Sequence, residues 1–167
     1  MTVAIELMSM RLHGLRSNAQ IIDAHARAVC RELLLQVDLT DVHNDDSYRL
    51  KGLAAVALEV EGSELVARQL CQALCAVLDK TWSLGWEWER LAGVLFRTHP
   101  NVALDAFIAT PTRRGHSALV DLFVGRHDPV REVPEQVLLE WVASDHSQRD
   151  PWVARHIDVV SSGSDAE

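Results

Sequence analysis

Apolar residues recur along this chain at steps of three and four, the period of an amphipathic helix. Ile22, Ala26, Val29, Leu33 and Val37 draw the clearest stripe, widened by Ile21 and Leu34, with His25 on the same side. It predicts a helix from about Asn18 to Val37, capped by Ser17 or Asn18. Upstream, Val3, Leu7, Met8 and Leu12 mark a first helix, which Gly14 is expected to end. The polar connection Asp38 to Asp46 leads to a third helix, Ser47 to Glu59, offering Leu50, Leu53, Ala54, Ala57 and Leu58. Glu61-Gly62-Ser63 is a turn. A fourth helix follows to about Leu78, with Val66, Leu70, Leu74 and Val77 on one face and Cys71, Cys75 and Leu78 beside them.

The second half keeps the same rhythm. Trp88, Leu91, Leu95 and Phe96 predict a helix near Trp86 to Arg97. A new one starts at Pro100, because proline suits a first helical turn, whose N–H has no partner anyway. Thr110 to His116 is a loop, Ala118 to Val124 a short helix, and Gly125 to Val133 a loop. Pro134 and Glu135 open another helix with Val137, Leu138, Trp141 and Val142 inward. A last helix is expected within Asp145 to Val160. No segment alternates in the manner of a strand.

The fold class that follows is all-α. Antiparallel helical hairpins would stack as a short α-solenoid of HEAT or TPR type, with an irregular helical bundle as the other packing. Grouped in pairs, the units start near Asn18, Ser63, Pro100 and Pro134. Residues 1–160 make one helical domain, and 161–167, SSGSDAE, a disordered tail. Helix one has little upstream to pack against, so it is expected to meet a neighbour.

Composition narrows the function classes. Hydrophobic content of 48% and charged content of 24% are ordinary for a globular chain, and 8 glycines and 5 prolines leave few breakers. A net charge of −8 argues against a nucleic-acid-wrapping domain, whose affinity comes largely from phosphate contacts. Three cysteines make no even disulfide framework. Cys71 and Cys75, four apart, read as small buried hydrophobes on one helix face. There is no basic leader and no run long enough to span a membrane, which places the chain in the cytoplasm as an expectation.

Chemistry is sparse. The chain has neither a G-x-x-x-x-G-K-[ST] loop nor G-x-G-x-x-G, H-E-x-x-H or G-x-S-x-G. Asp41, His43, Asp45 and Asp46 could ring a divalent ion. They lack the EF-hand glycine and distal glutamate, and a solvated, helix-capping linker explains them better. No cofactor, metal site or catalytic residue is expected. Two surface features remain. Trp86 lies about half a turn from Trp88, so both cannot easily face one core, and an exposed tryptophan suits a contact site. Arg113 and Arg114, with Arg126 and Arg131 in the next loop, form the basic concentration, an edge for an acidic partner or a phosphate.

One resemblance adds to this. Leu91, Leu95-Phe96, His99-Pro100 and Ala103-Leu104-Asp105-Ala106-Phe107 are followed by Val133-Pro134, Leu138-Leu139, Trp141, Asp145, Arg149, Pro151 and Val153-Ala154. The pattern resembles the C-terminal helical-repeat, HEAT-like region of large uncharacterised bacterial proteins, some of them defence-associated. The resemblance implies a scaffold or sensor and brings no catalytic residues. The sequence reading is therefore a non-catalytic module that binds a protein partner or adjacent repeats of a larger assembly, with homo-oligomerisation through helix one open. The alternative is a small helical subunit of a nucleic-acid-binding complex that uses the Arg113/Arg114 edge.

Overall fold

A computed structural model describes residues 3–17, 22–37, 39, 47–59, 61–81, 84–123 and 129–144. Eight α-helices lie within them: α1 (Val3–Ser17), α2 (Ala24–Leu35), α3 (Ser47–Ala57), α4 (Glu64–Lys80), α5 (Trp86–Thr98), α6 (Pro100–Ala109), α7 (Ala118–Phe123) and α8 (Glu135–Ser144). A 3-10 turn, Pro129–Glu132, occupies the end of the expected Gly125–Val133 loop. The described residues contain no β-strand; Pro111 and Ser117 form an isolated bridge. The Asp38–Asp46 linker, apart from Leu39, lies outside the described residues. So do the last predicted helix, the tail and Arg126.

The helices pack in two rows. α1 lies on α3, α3 on α5 and α5 on the 3-10 turn; α2 lies on α4, α4 on α6 and α6 on α8. The rows meet where α2 touches α3, α4 touches α5 and α5 touches α6, and α7 fills in against α4, α6 and the 3-10 turn. Between the rows sits one apolar core. Trp88, Phe96, Phe107, Leu34, Leu53, Leu74 and Leu91 are among its fully buried side chains, and Phe96 of α5 stacks on Phe107 of α6 with ring centroids 5.5 Å apart.

Four sequence expectations are corrected. Gly14 does not end α1, which continues to Ser17. A helical glycine costs only about 1 kcal/mol relative to alanine, too little to stop a helix that packs on a neighbour. Leu7 is not part of the inward stripe of α1. Ile5, Met8 and Leu12 are buried there, whereas Leu7 is 62% exposed. In α2 the cap is Asp23, whose Oδ1 accepts the Ala26 N–H at 2.7 Å. Ala26, Cys30 and Leu34 are its buried line, and His25, expected among the apolar residues, is exposed.

Polar side chains tie the helices together, and three of these pairs share one interval. Lys51 of α3 pairs with Glu87 of α5. Ser63, at the start of α4, meets His99, at the start of α6, at 2.9 Å. Trp141 Nε1–H of α8 donates to Asp105 Oδ1 of α6 at 2.7 Å. Each of these pairs is 36 residues apart in the chain, and Arg97–Glu132, which ties α5 to the 3-10 turn, is 35 apart.

Candidate interaction surfaces

The tryptophan pair at the start of α5 divides as the helix geometry demands. Trp88 is 1% exposed and Trp86 is 54% exposed. The Trp86 ring is flanked by cations: the Arg90 guanidinium carbon is 4.7 Å from its centroid and Lys51 Nζ 5.6 Å. Lys51 also pairs with Glu87. The patch is therefore amphipathic, an indole whose faces already hold positive charge with a carboxylate beside it. Cation–π contacts at such exposed sites contribute about 0.5–1 kcal/mol each.

The arginine edge is interleaved with acid. Gly115 adopts φ +82° in the turn between α6 and α7, a conformation that favours glycine. Arg113 reaches Asp79 Oδ2 at 3.3 Å. Arg114 Nη1 lies 3.0 Å from Asp121 Oδ1, and His116 Nε2 lies 3.5 Å from the same oxygen. Asp121 has only 4% of its side chain exposed, so Arg114, 30% exposed, is held against a largely buried carboxylate. Arg131 is exposed on the 3-10 turn, next to Glu132, which pairs with Arg97. Arg113 and Arg114 share one turn, and each has a carboxylate of this chain against it.

A part-buried polar junction joins α3, α4, α5 and α6, and no motif in the sequence announces it. Ser63 is 1% exposed. Its Oγ lies 3.2 Å from the Leu58 carbonyl and 2.9 Å from His99 Nε2. On the other side of the ring, His99 Nδ1 is 3.0 Å from Thr98 Oγ1, which donates to the Val94 carbonyl at 2.8 Å. The Ser63 hydroxyl donates to the Leu58 carbonyl and the Thr98 hydroxyl to the Val94 carbonyl, and the two ring nitrogens of His99 lie against those same hydroxyls. Burial holds the His99 imidazole below its usual range, while Glu64 pulls the other way. Serine and histidine are in hydrogen-bond contact, and Ser63 is buried where α3, α4 and α6 meet.

The thiols behave as core atoms. Cys30, Cys71 and Cys75 are all buried and joined in no disulfide. Burial is the main reason the Cys71 thiol is pushed far up, with Cys75 beside it adding to the effect. Cys75 is pushed up to about 11 by burial, and a hydrogen bond with Thr110 pulls the other way. Both are thus protonated, weak nucleophiles near neutral pH. Among the described residues no three His, Cys, Asp or Glu side chains come together as a metal site, and no helix is long and apolar enough to cross a membrane. The Asp41, His43, Asp45 and Asp46 cluster lies outside those residues.

Among the described residues the other large apolar side chains that are exposed are Leu7 and Met10 of α1, Leu65 of α4 and Leu139 of α8. Leu65 and Leu139 stand on different helices, as scattered surface hydrophobes usually do. Leu7 and Met10 are three residues apart, on one face of one helix. Comparison with protein-family models, with curated proteins and with solved structures finds no match.

Proposed function

We propose that this chain is a non-catalytic helical-repeat scaffold or sensor module that acts by protein–protein contact. The observation that carries the reading is the recurrence of unit-to-unit polar ties at 36 residues, between helices two apart in the chain. A period in the thirties is that of stacked helical hairpins, in which each unit buries its apolar face on the next. Such stacks offer extended outer faces and work by binding. The pattern of α1-on-α3-on-α5 beside α2-on-α4-on-α6-on-α8 supports the same reading. The resemblance running from Leu91 to Ala154 points to a bacterial module, with a role in defence as the wider context.

The arginine edge favours a protein over a nucleic acid. Arg113 and Arg114 are matched by Asp79 and Asp121, so the edge presents no uninterrupted positive face for phosphates. The surface that asks for a partner is the outer side of α1, where Leu7 and Met10 are 62% and 67% exposed. Replacing both, Leu7→Glu with Met10→Glu, is expected to abolish retention of specific proteins from an extract of the source cells while leaving the thermal midpoint within a few degrees, since exposed substitutions usually change stability by less than about 0.5 kcal/mol. Quantitative mass spectrometry of the retained proteins reads the result. An unchanged set for the double variant contradicts the reading of this face.

A further inference from the structure

Five arginines among the described residues are answered by carboxylates of this chain: Arg27 by Glu59, Arg31 by Glu32, Arg97 by Glu132, Arg113 by Asp79 and Arg114 by Asp121. Arg90 is not. It is exposed on α5, and its guanidinium carbon lies 4.7 Å from the centroid of the Trp86 ring, one turn earlier. Among the described residues no carboxylate comes within ion-pair distance of it. Arg11 and Arg68 are exposed without an ion pair too, but neither a hydrogen bond nor a ring holds them in place. Arg90 is thus a positioned cation whose N–H fork lacks an acceptor. An indole face attracts the charge and takes none of those donors in the way a carboxylate does. Beside the ring, Lys51 of α3 pairs with Glu87 of α5 and ties the two helices together.

We propose that Trp86 and Arg90 form a docking site for a segment of a partner protein that carries one carboxylate next to an apolar side chain. The proposal rests on the scaffold reading above and gives the partner a chemistry at a second surface. The carboxylate meets the guanidinium, whose planar fork matches two oxygens at once. The apolar neighbour covers the open part of the indole, since Trp86 is 54% exposed. Tryptophan and arginine are the side chains on which contact energy most often concentrates. The ring already restricts this arginine, so less freedom is lost on binding. Charge selects the occupant. The chain carries a net charge of −8, and the acids Glu87 and Glu89 lie between Trp86 and Arg90 in the first turn of α5. A nucleic-acid strand would bring a row of phosphates past both acids, and its affinity needs several cations. A lone carboxylate needs only Arg90.

Selection from a display library of short random peptides on the immobilised full chain tests this, with circular dichroism to confirm that each variant is folded. The enriched peptides are expected to share an Asp or Glu beside Leu, Phe or Trp. A fluorescein-labelled synthetic copy of the most enriched sequence then gives dissociation constants by fluorescence anisotropy. Arg90→Gln should weaken its binding at least about tenfold, the loss expected when a contact hot spot is removed. Trp86→Ala should weaken it too, and so should replacing the acid of the peptide by its amide. Arg68→Gln, on α4, should leave it unchanged. No enrichment, enriched peptides without an acid, or binding no more sensitive to Arg90→Gln than to Arg68→Gln each overturns the proposal. So does single-stranded oligothymidylate that binds more tightly than the peptide and is lost on Arg90→Gln, because the site then serves a nucleic acid. The scaffold reading fails separately. If peptide binding ignores Arg90 while extract proteins are still retained through Leu7 and Met10, this site is removed and the scaffold kept. If peptides bind through Arg90 and no extract protein depends on Leu7 and Met10, the reading of α1 is removed and this site kept.

Discussion

Trp88→Ala is expected to lower the unfolding free energy by about 3–5 kcal/mol, and Trp86→Ala, two residues earlier on the same helix, by about 1 kcal/mol. Trp88 is 1% exposed in the helix that packs on α3, α4, α6 and the 3-10 turn, so truncation leaves a large void among neighbours that cannot all collapse into it. Trp86 is 54% exposed and loses little beyond its contacts with Lys51 and Arg90. For a chain of this size each kcal/mol moves the thermal midpoint by roughly 2–4 °C, so Trp88→Ala should shift it by about 6–20 °C. Urea unfolding followed by circular dichroism checks both variants. Equal losses would mean that the assignment of inward and outward faces on α5 is wrong.

Phe107→Ala should destabilise by a similar amount, about 3–5 kcal/mol, for a different reason. Phe107 is fully buried and stacks on Phe96, which joins α6 in one row to α5 in the other. Aromatic pairs contribute about 0.5–1.5 kcal/mol beyond their buried area. A double-mutant cycle of Phe96→Leu and Phe107→Leu should therefore show a coupling of that size. If the two substitutions are additive to within about 0.3 kcal/mol, the stacking does not couple the rows. Against a total stability of about 5–15 kcal/mol for a typical domain, either alanine variant removes a large share.

What was legible in the sequence is what periodicity encodes. α3, α4, α5 and α6 fall within a few residues of their expected spans, because their apolar stripes are long and are bounded by Ser63, Pro100 and polar turns. The sequence misleads where two signals compete. Ile21 and Ile22 extended the α2 stripe backwards and hid Asp23, whose cap sets the true start of the helix. In α1 the residues Leu7 and Met8 are adjacent and both apolar, so the pattern reads as one stripe where the structure has two faces. The arginines were found as residue types in a loop, but their pairing with Asp79 and Asp121 depends on chain segments brought together only by folding. The junction of Ser63, His99 and Thr98 was out of reach for the same reason. Its two halves are 36 residues apart and become neighbours only when one unit stacks on the next.

The central claim, that the outer face of α1 is a contact surface, is tested most directly by methionine oxidation footprinting. Met8 and Met10 are two residues apart and face opposite ways, 8% and 67% exposed, so Met8 serves as an internal reference. In the dilute purified chain Met10 should oxidise many times faster than Met8. In an extract of the source cells Met10 should become protected while Met8 stays unchanged. Rapid Met10 oxidation that is identical under both conditions would contradict a role for α1 in binding.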